Sequence, residues 1–342
     1  MKKNILLIAF SLIAFLTIPA HGNDNEFTVL QWNVWQEGTK VPGGYEAIAN
    51  EIARLKPDFV ALSEVRNYNN TRFCDRIVAS LKERGITYYS FYSYDSGLLS
   101  KHPITDSTTI YPEKDDHGSI YRLTASAYGK EFAIYTAHLD YQDCAYYNVR
   151  GYDGTTWKEC ERPKTVEEVL KRNDASKRDD AIRAFIHNAN KDLAEGRIVV
   201  LGGDFNEPSH HDWTESNKNL YEHNGMVIGW TATTLLEQAG YSDAYRVLFP
   251  DPLTHPGFTY PSDNEQITPE NLTWAPQSDE RERIDFVFYQ GKGIKPTEAL
   301  IFGPENCIAY SKRTPNQSKD PFLKPLSVWP TDHKGLWVKF NF

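Results

Sequence analysis

Residues 198–208, IVVLGGDFNEP, decide how the rest of the chain is read. Four apolar residues and two glycines run without the polar alternation of a half-exposed strand, so they describe a strand buried on both faces. Asp204 and Asn206 then stand at its carboxyl end. Four further stretches have the same character: Phe27–Val34, Asp58–Val65, Phe132–Leu139 and Ile284–Tyr289. Between the first two, Tyr45, Ile48, Ile52 and Leu55 recur at helical spacing, and Pro57 stops the helix. A second helix is predicted over about 174–194, with Ile182, Phe185, Ile186, Ala189 and Leu193 as its apolar stripe and Gly196 as its stop. Buried strands interleaved with helices give an α/β chain with parallel-capable strands.

Polar residues collect at the ends of these strands. Asn33 closes the first (QWNVW), Glu64 the second (LSEVR), His138 the third (TAHLD), and Asp204 with Asn206 the fourth. Asp285 opens RIDFVFY, and Asp332 and His333 lie in TDHKGLW before a terminal strand. Singly, such an Asp or Asn is a turn residue, and such a His a packed, half-buried side chain. Together they describe one cleft of ligand and acid/base groups. The donors are mostly oxygens, which suits Mg²⁺, with Mn²⁺ or Ca²⁺ as substitutes, rather than zinc. No G-x-S-x-G or C-x-x-C occurs, so a seryl nucleophile and a cysteine zinc site are disfavoured.

The ordered series N, E-V, H-L, G-D-F-N, R-I-D and D-H resembles the endonuclease/exonuclease/phosphatase superfamily from about residue 27 to 342. That resemblance implies a four-layer α/β/β/α sandwich of two packed mixed sheets flanked by helices, and hydrolysis of a phosphate ester by metal-assisted water. It implies Glu64, Asn33 and Asp332 at the metal, His333 as general base oriented by Asp285, Asp204 on the attacking water, Asn206 on the phosphate and His138 on the developing charge. Two departures stand out. Nucleases of the deoxyribonuclease I type orient the first histidine with a carboxylate, for which YDSGLLSKHP (94–103) offers only Asp95. ERERIDFVFY also lacks the W-C-D-R segment of inositol phosphatases. Asp243, in YSDAYR, is expected to be structural.

Residues 141–172, 207–230 and 251–282 fit no regular element and are expected to be functional loops. The first carries Tyr146 and Trp157, expected to contact substrate together with Arg66; simple packing accounts for the aromatics equally well. The formal charge is −9. Tracking nucleic acid calls for a basic face, so a small, lipid-linked or glycan-linked phosphodiester is favoured over DNA or RNA, and a monoester remains open. A nuclease would need Arg66, Lys101, Arg178, Arg281 and Arg283 to line a groove.

Residues 1–22 read as a secretory leader, with two lysines, an apolar run and a small-residue end, ahead of a single catalytic domain over 23–342. The chain is expected to be secreted or periplasmic, without a membrane span, and monomeric. Four cysteines in an oxidising compartment allow two disulfides, and Cys144–Cys160 is the preferred local pair.

Overall fold

A computed structural model describes residues 25–342 apart from 67–69, 92–93 and 113–117. The leader, residues 1–22, lies outside the described residues. The strands are β1 (Glu26–Asn33), β2 (Phe59–Ser63), β3 (Tyr89–Phe91), β4 (Ser96–Ser100), β5 (Ile104–Tyr111), β6 (Ser119–Ala127), β7 (Lys130–His138), β8 (Ile198–Asp204), β9 (Ser242–Asp243), β10 (Asp285–Gln290), β11 (Lys295–Phe302), β12 (Cys307–Ala309), β13 (Lys312–Thr314), β14 (Phe322–Leu323) and β15 (Gly335–Asn341). The helices are α1 (Gly44–Leu55), α2 (Phe73–Glu83), α3 (Ala145–Val149), α4 (Val166–Asn173), α5 (Arg178–Ala194), α6 (Thr231–Gln238) and α7 (Ala244–Leu248).

Two mixed sheets form the centre. One has the order β14-β11-β15-β1-β2-β4-β3, the other β5-β6-β7-β8-β10-β9. Each contains a parallel pair joined through a helix, β1-α1-β2 in the first and β7-α5-β8 in the second. Three apolar layers follow. Phe27, Val29, Phe59, Leu123, Phe132, Val200 and Val338 fill the space between the sheets. Leu30, Trp32 and Leu62 pack under Ile48, Ile52 and Ile77 of α1 and α2. Tyr135, Val199 and Phe286 pack under Ile182 and Phe185 of α5. Both faces of each central strand are covered, which explains their apolar runs.

At one end the interlayer space turns polar and narrow. Ser63 Oγ of β2 donates to the Ala137 carbonyl of β7 at 2.8 Å, and Thr136 Oγ1 donates back to the Leu62 carbonyl at 3.1 Å. A Cβ at Gly202 would stand 2.9 Å from Ala61 Cβ of the opposite sheet, so the sheets can approach this closely only over a glycine. At Gly203 it would lie 2.5 Å from the Ala137 carbonyl oxygen. The two glycines before Asp204 are therefore packing residues that bring both sheet edges to one place.

The aromatic segment departs from the expectation of irregular loop. It contains α3 and α4, and Cys144, Tyr146, Tyr147, Val149, Trp213 and Trp230 form a separate apolar cluster. The expected Cys144–Cys160 disulfide is not formed, and all four cysteines are free thiols. Cys144 Sγ lies 3.2 Å from the Tyr141 carbonyl and 3.3 Å from that of Asn206, whereas Cys160 Sγ accepts from Asn148 Nδ2 at 3.6 Å. Asp243 caps α7, accepting from the Tyr245 and Arg246 amides, and is ion-paired with Arg283 at 2.6 Å. No helix among the described residues is long and apolar enough to cross a membrane.

Gly202→Ala is expected to destabilise the fold by about 1–3 kcal/mol, the usual cost of overpacking a close interface. Urea unfolding of the two proteins measures it, and an unchanged midpoint would show that the sheets are not held at this spacing by the missing side chain.

Candidate active site

Strand register builds the site. In the second sheet His138 of β7 stands opposite Asp204 of β8, and Asp285 of β10 stands opposite Asp204 on its other side. Three functional side chains thus form a row across adjacent strand ends. In the first sheet Asn33 and Ser63 are register partners at the ends of β1 and β2, and Glu64 follows. The narrow sheet contact brings the two edges together.

Hydrogen bonds then order the row. His138 Nδ1 lies 2.6 Å from Asp95 Oδ2, and its Nε2 lies 3.8 Å from Asp204 Oδ2. His333 mirrors this, with Nδ1 2.9 Å from Asp285 Oδ2 and Nε2 3.7 Å from the same Asp204 oxygen. The result is an alternating array, Asp95–His138–Asp204–His333–Asp285. Gln31 Nε2 donates to Asp285 Oδ1 at 2.8 Å and holds its outer end. Asp95, the weak candidate of the sequence, therefore fills the orienting position.

Asn33 ties the two sheet edges together. Its Nδ2 donates to Glu64 Oε1 at 3.1 Å and to Asp204 Oδ2 at 2.9 Å, while its Oδ1 accepts the Trp35 amide at 2.9 Å. Its oxygen accepts one backbone hydrogen bond, and its amide nitrogen braces two carboxylates. Asn206 Nδ2 donates to the Leu139 carbonyl at 3.0 Å, and its amide N–H to Asp204 Oδ1 at 2.9 Å. Glu64 and Asn206 both hold left-handed backbone, at φ 58° and 49°. For a glutamate this is strained, a common condition at sites that aim a side chain.

The charges are crowded. Burial opposes a charged His333, but Asp285 and Asp204 outweigh it and push the ring up to about 10. Burial likewise opposes His138, and Asp95 first among its neighbours pushes it up to about 9. The surrounding carboxylates thus favour the charged form of both rings. Burial raises Asp332, with the charges of Glu64 and Asp204 adding to it, and burial raises Asp204, with Asp285 adding to it. Asp95 goes the other way. Burial pushes it up, but His138 and Arg66, 3.3 Å away, pull it below the usual carboxylate range.

A divalent cation fits this set. Glu64 and Asp332 face the same cavity as Asp204, and Asp204, Asp285 and His333 have ligand atoms within 4.8 Å of one another. Five carboxylates meet two imidazoles and the Arg66 guanidinium. Even with both rings charged, two negative charges remain, the charge of one divalent ion. Oxygen donors select a hard cation.

A cavity of about 260 Å³ opens over the array, lined on one side by Glu64, Arg66, His138, Asp204, Asn206, Asp332 and His333. Trp157 lies within it, and Tyr146 lines it from a buried position. Rings climb its other wall: Tyr146–Tyr147 at 4.4 Å between centroids, Tyr147–Trp157 at 5.0 Å and Trp157–Trp274 at 5.0 Å. Trp274 is 51% exposed at the mouth. Trp35, Tyr147, Tyr260 and Trp274 were not anticipated singly. Tyr260 and Trp274 lie in the irregular 251–282 segment, where the sequence located functional loop. Of the five cations named for a nuclease groove, Arg66 lines this cavity, and all five are ion-paired. Arg178 is buried against Glu207, Arg283 against Asp212 and Asp243, Lys101 pairs with Asp58, Arg281 with Asp279 and Arg66 with Asp95.

An acid–imidazole array at the shared edge of two mixed sheets, with carboxylates left for a hard cation, defines a hydrolase of phosphoesters by fold and site. Residues 30–333 match the Endonuclease/Exonuclease/phosphatase family, and the chain belongs to it. Over 98% of its length the chain is 26% identical to the whole of an uncharacterized protein of Caenorhabditis elegans, F14F9.5. Its fold is similar to that of D. rerio TDP2 complexed with single strand DNA product (TM-score 0.52, 16% identity, 93% of this chain and 99% of that one). It is also similar to C. elegans TDP2 (TM-score 0.52, 17% identity, 94% and 78%). The human Nocturnin catalytic domain with bound sulfate anion is a third (TM-score 0.50, 17% identity, 93% and 94%).

The raised His138 supplies a pH test. Its pKa in the folded state lies above the ordinary 6.5, so the His138–Asp95 pair stabilises the fold fully below about 6.5 and loses that contribution as pH rises through about 9. In chelator-treated Asp95→Asn, NMR titration is expected to bring the His138 midpoint down to about 6.5 or lower, because burial then opposes the charge with less to counter it. A midpoint left near 9 would remove Asp95 as the partner.

Proposed function

We propose that the protein is an exported, divalent-metal-dependent phosphodiesterase acting on a small or lipid- or glycan-linked phosphodiester. The observation that carries the reading is Asp204, placed between the Nε2 atoms of two carboxylate-held imidazoles. Glu64 and Asp332, with Asp204 beside them, would hold the cation, which when bound neutralises charge on the phosphoryl oxygens. Asp204 accepts the proton of the attacking water, because both rings already carry theirs. The imidazoliums of His138 and His333 then face the equatorial oxygens, where negative charge grows in the transition state. Asp95 and Asp285 keep the rings protonated and aimed. Asn206 donates its remaining amide hydrogen to the phosphate, and Arg66 lines the same side of the cavity.

The ring wall supports a small or single-group ligand, since planar or sugar surfaces stack on Trp157 and Trp274. The acidic chain and the pairing of the five candidate cations weigh against a long polynucleotide. The second reading is a nuclease acting at a strand end. The same rings would stack on bases, and the D. rerio TDP2 structure is a complex with single strand DNA product. Export rests on the residue 2–20 leader pattern alone.

The test is a hydrolysis panel with Mg²⁺: bis-aryl phosphate, sphingomyelin, single-stranded and duplex DNA, RNA and aryl phosphate. Turnover of the small diesters is expected, abolished by chelator and restored by Mg²⁺, with rapid duplex cleavage the result that would sink the reading. His333→Ala and Asp204→Asn are expected to lower kcat by about 10²–10³-fold or more without unfolding, the usual cost of removing one transition-state partner. Near-normal turnover in Asp204→Asn would return the base role to His333.

A further inference from the structure

Outside the cleft, one other group among the described residues has metal-ligating atoms that converge: His210, His211 and Glu237. His210 and His211 lie in the segment that follows β8, and Glu237 lies in α6. His210 Nε2 stands 3.0 Å from Glu237 Oε2, and His211 Nε2 stands 3.6 Å from Glu237 Oε1. Tetrahedral zinc with bonds of about 2.0–2.1 Å separates its ligand atoms by roughly 3.3–3.4 Å, and one such atom from each of the three residues lies within 4.8 Å of the others.

The surroundings fix the ring that matters most. His210 Nδ1 lies 2.8 Å from Thr233 Oγ1, and the Thr233 hydroxyl has the Trp230 carbonyl 3.4 Å away as its own acceptor. The same hydroxyl accepts the His210 amide at 3.1 Å, so His210 is held to α6 through both backbone and ring, with Nε2 turned to the carboxylate. The two imidazole centroids are 3.9 Å apart, so a proton on each ring sets like charges against one another. One divalent ion satisfies both nitrogens and the carboxylate together, with a hydroxyl bracing the ligand from behind as metal-bound histidines usually have.

We propose that His210, His211 and Glu237 bind one zinc-type divalent ion. Two imidazoles and one carboxylate select a borderline metal over the hard cation suited to the oxygen-rich cleft. Three protein ligands leave a fourth position for water, on the side of a cavity of about 500 Å³ that His211 and Glu237 line. The ion ties the segment leaving the GDFN strand to α6. Glu207, only three residues before His210, already joins Asn173, Arg178 and the Ala232 amide. The metal is therefore a clip on the loop that follows Asn206, separate from the catalytic cation.

The test is metal binding by the full chain after chelator treatment, with millimolar Mg²⁺ present to occupy the cleft. Calorimetry with Zn²⁺ and visible absorption with Co²⁺ are expected to report one site, with the intense bands of four-coordinate Co²⁺. His210→Ala, His211→Ala and Glu237→Gln should each weaken it at least about tenfold, and Thr233→Ala measurably, by freeing the His210 ring. Glu64→Gln should leave it intact, which distinguishes it from the cleft. Circular dichroism of the variants shows whether they fold. Absence of a one-to-one Zn²⁺ site in the wild type, or a site that survives in the folded His210→Ala/His211→Ala double variant, overturns the proposal.

Discussion

Asp204 is shared by two imidazoles, and most of the molecule is arranged so that this can happen. A carboxylate buried at a sheet edge is costly unless positive or donating groups face it. Here His138 and His333 face one oxygen, Asn33 donates to that same oxygen, and the Asn206 amide donates to the other. These partners come from β7, from the loop before β15, from β1 and from the loop after β8. They can meet only because Gly202 lets one sheet lie against the other and because the parallel pairs end at the same level. The site is a by-product of sheet packing as much as of its own side chains.

Charge bookkeeping follows from that geometry. Each ring is held by an outer carboxylate and faces an inner one, which keeps its proton on. In the proposed mechanism the inner carboxylate is the group that accepts the proton. A reading of residue types alone favours the imidazole as base because of its ordinary pKa near neutrality. The array sets against that order the negative charge that surrounds each imidazole.

The sequence revealed the strands, and with them the row of site residues, because strands covered on both faces leave long apolar runs that end where polar groups begin. The five runs lie within a residue or two of β1, β2, β7, β8 and β10, and the 174–194 stripe corresponds to α5. What was hidden depends on side-chain direction and on contacts far apart in the chain. Asp95 could not be matched to His138, 43 residues away, without the register that sets Ser96 against Ser63 and Ser119 against His138. Asn33 showed its residue type but not that its amide joins Glu64 to Asp204. Cys144 and Cys160 were close in sequence, yet their sulfurs bond to different groups. The Trp157–Trp274 contact joins two irregular segments whose composition hinted at function without hinting that they meet.

The central place of β15 has a consequence for how the chain is made. The last strand lies between β11 and β1, so β1, among the first residues of the described chain, lacks its antiparallel neighbour until residues 335–341 emerge. His333 arrives with it. Synthesis must therefore pass residue 335 before the first sheet can close, and residue 333 before the five-membered array is complete. Such long-range pairing slows folding. Neither the first sheet nor the full array can assemble ahead of that strand.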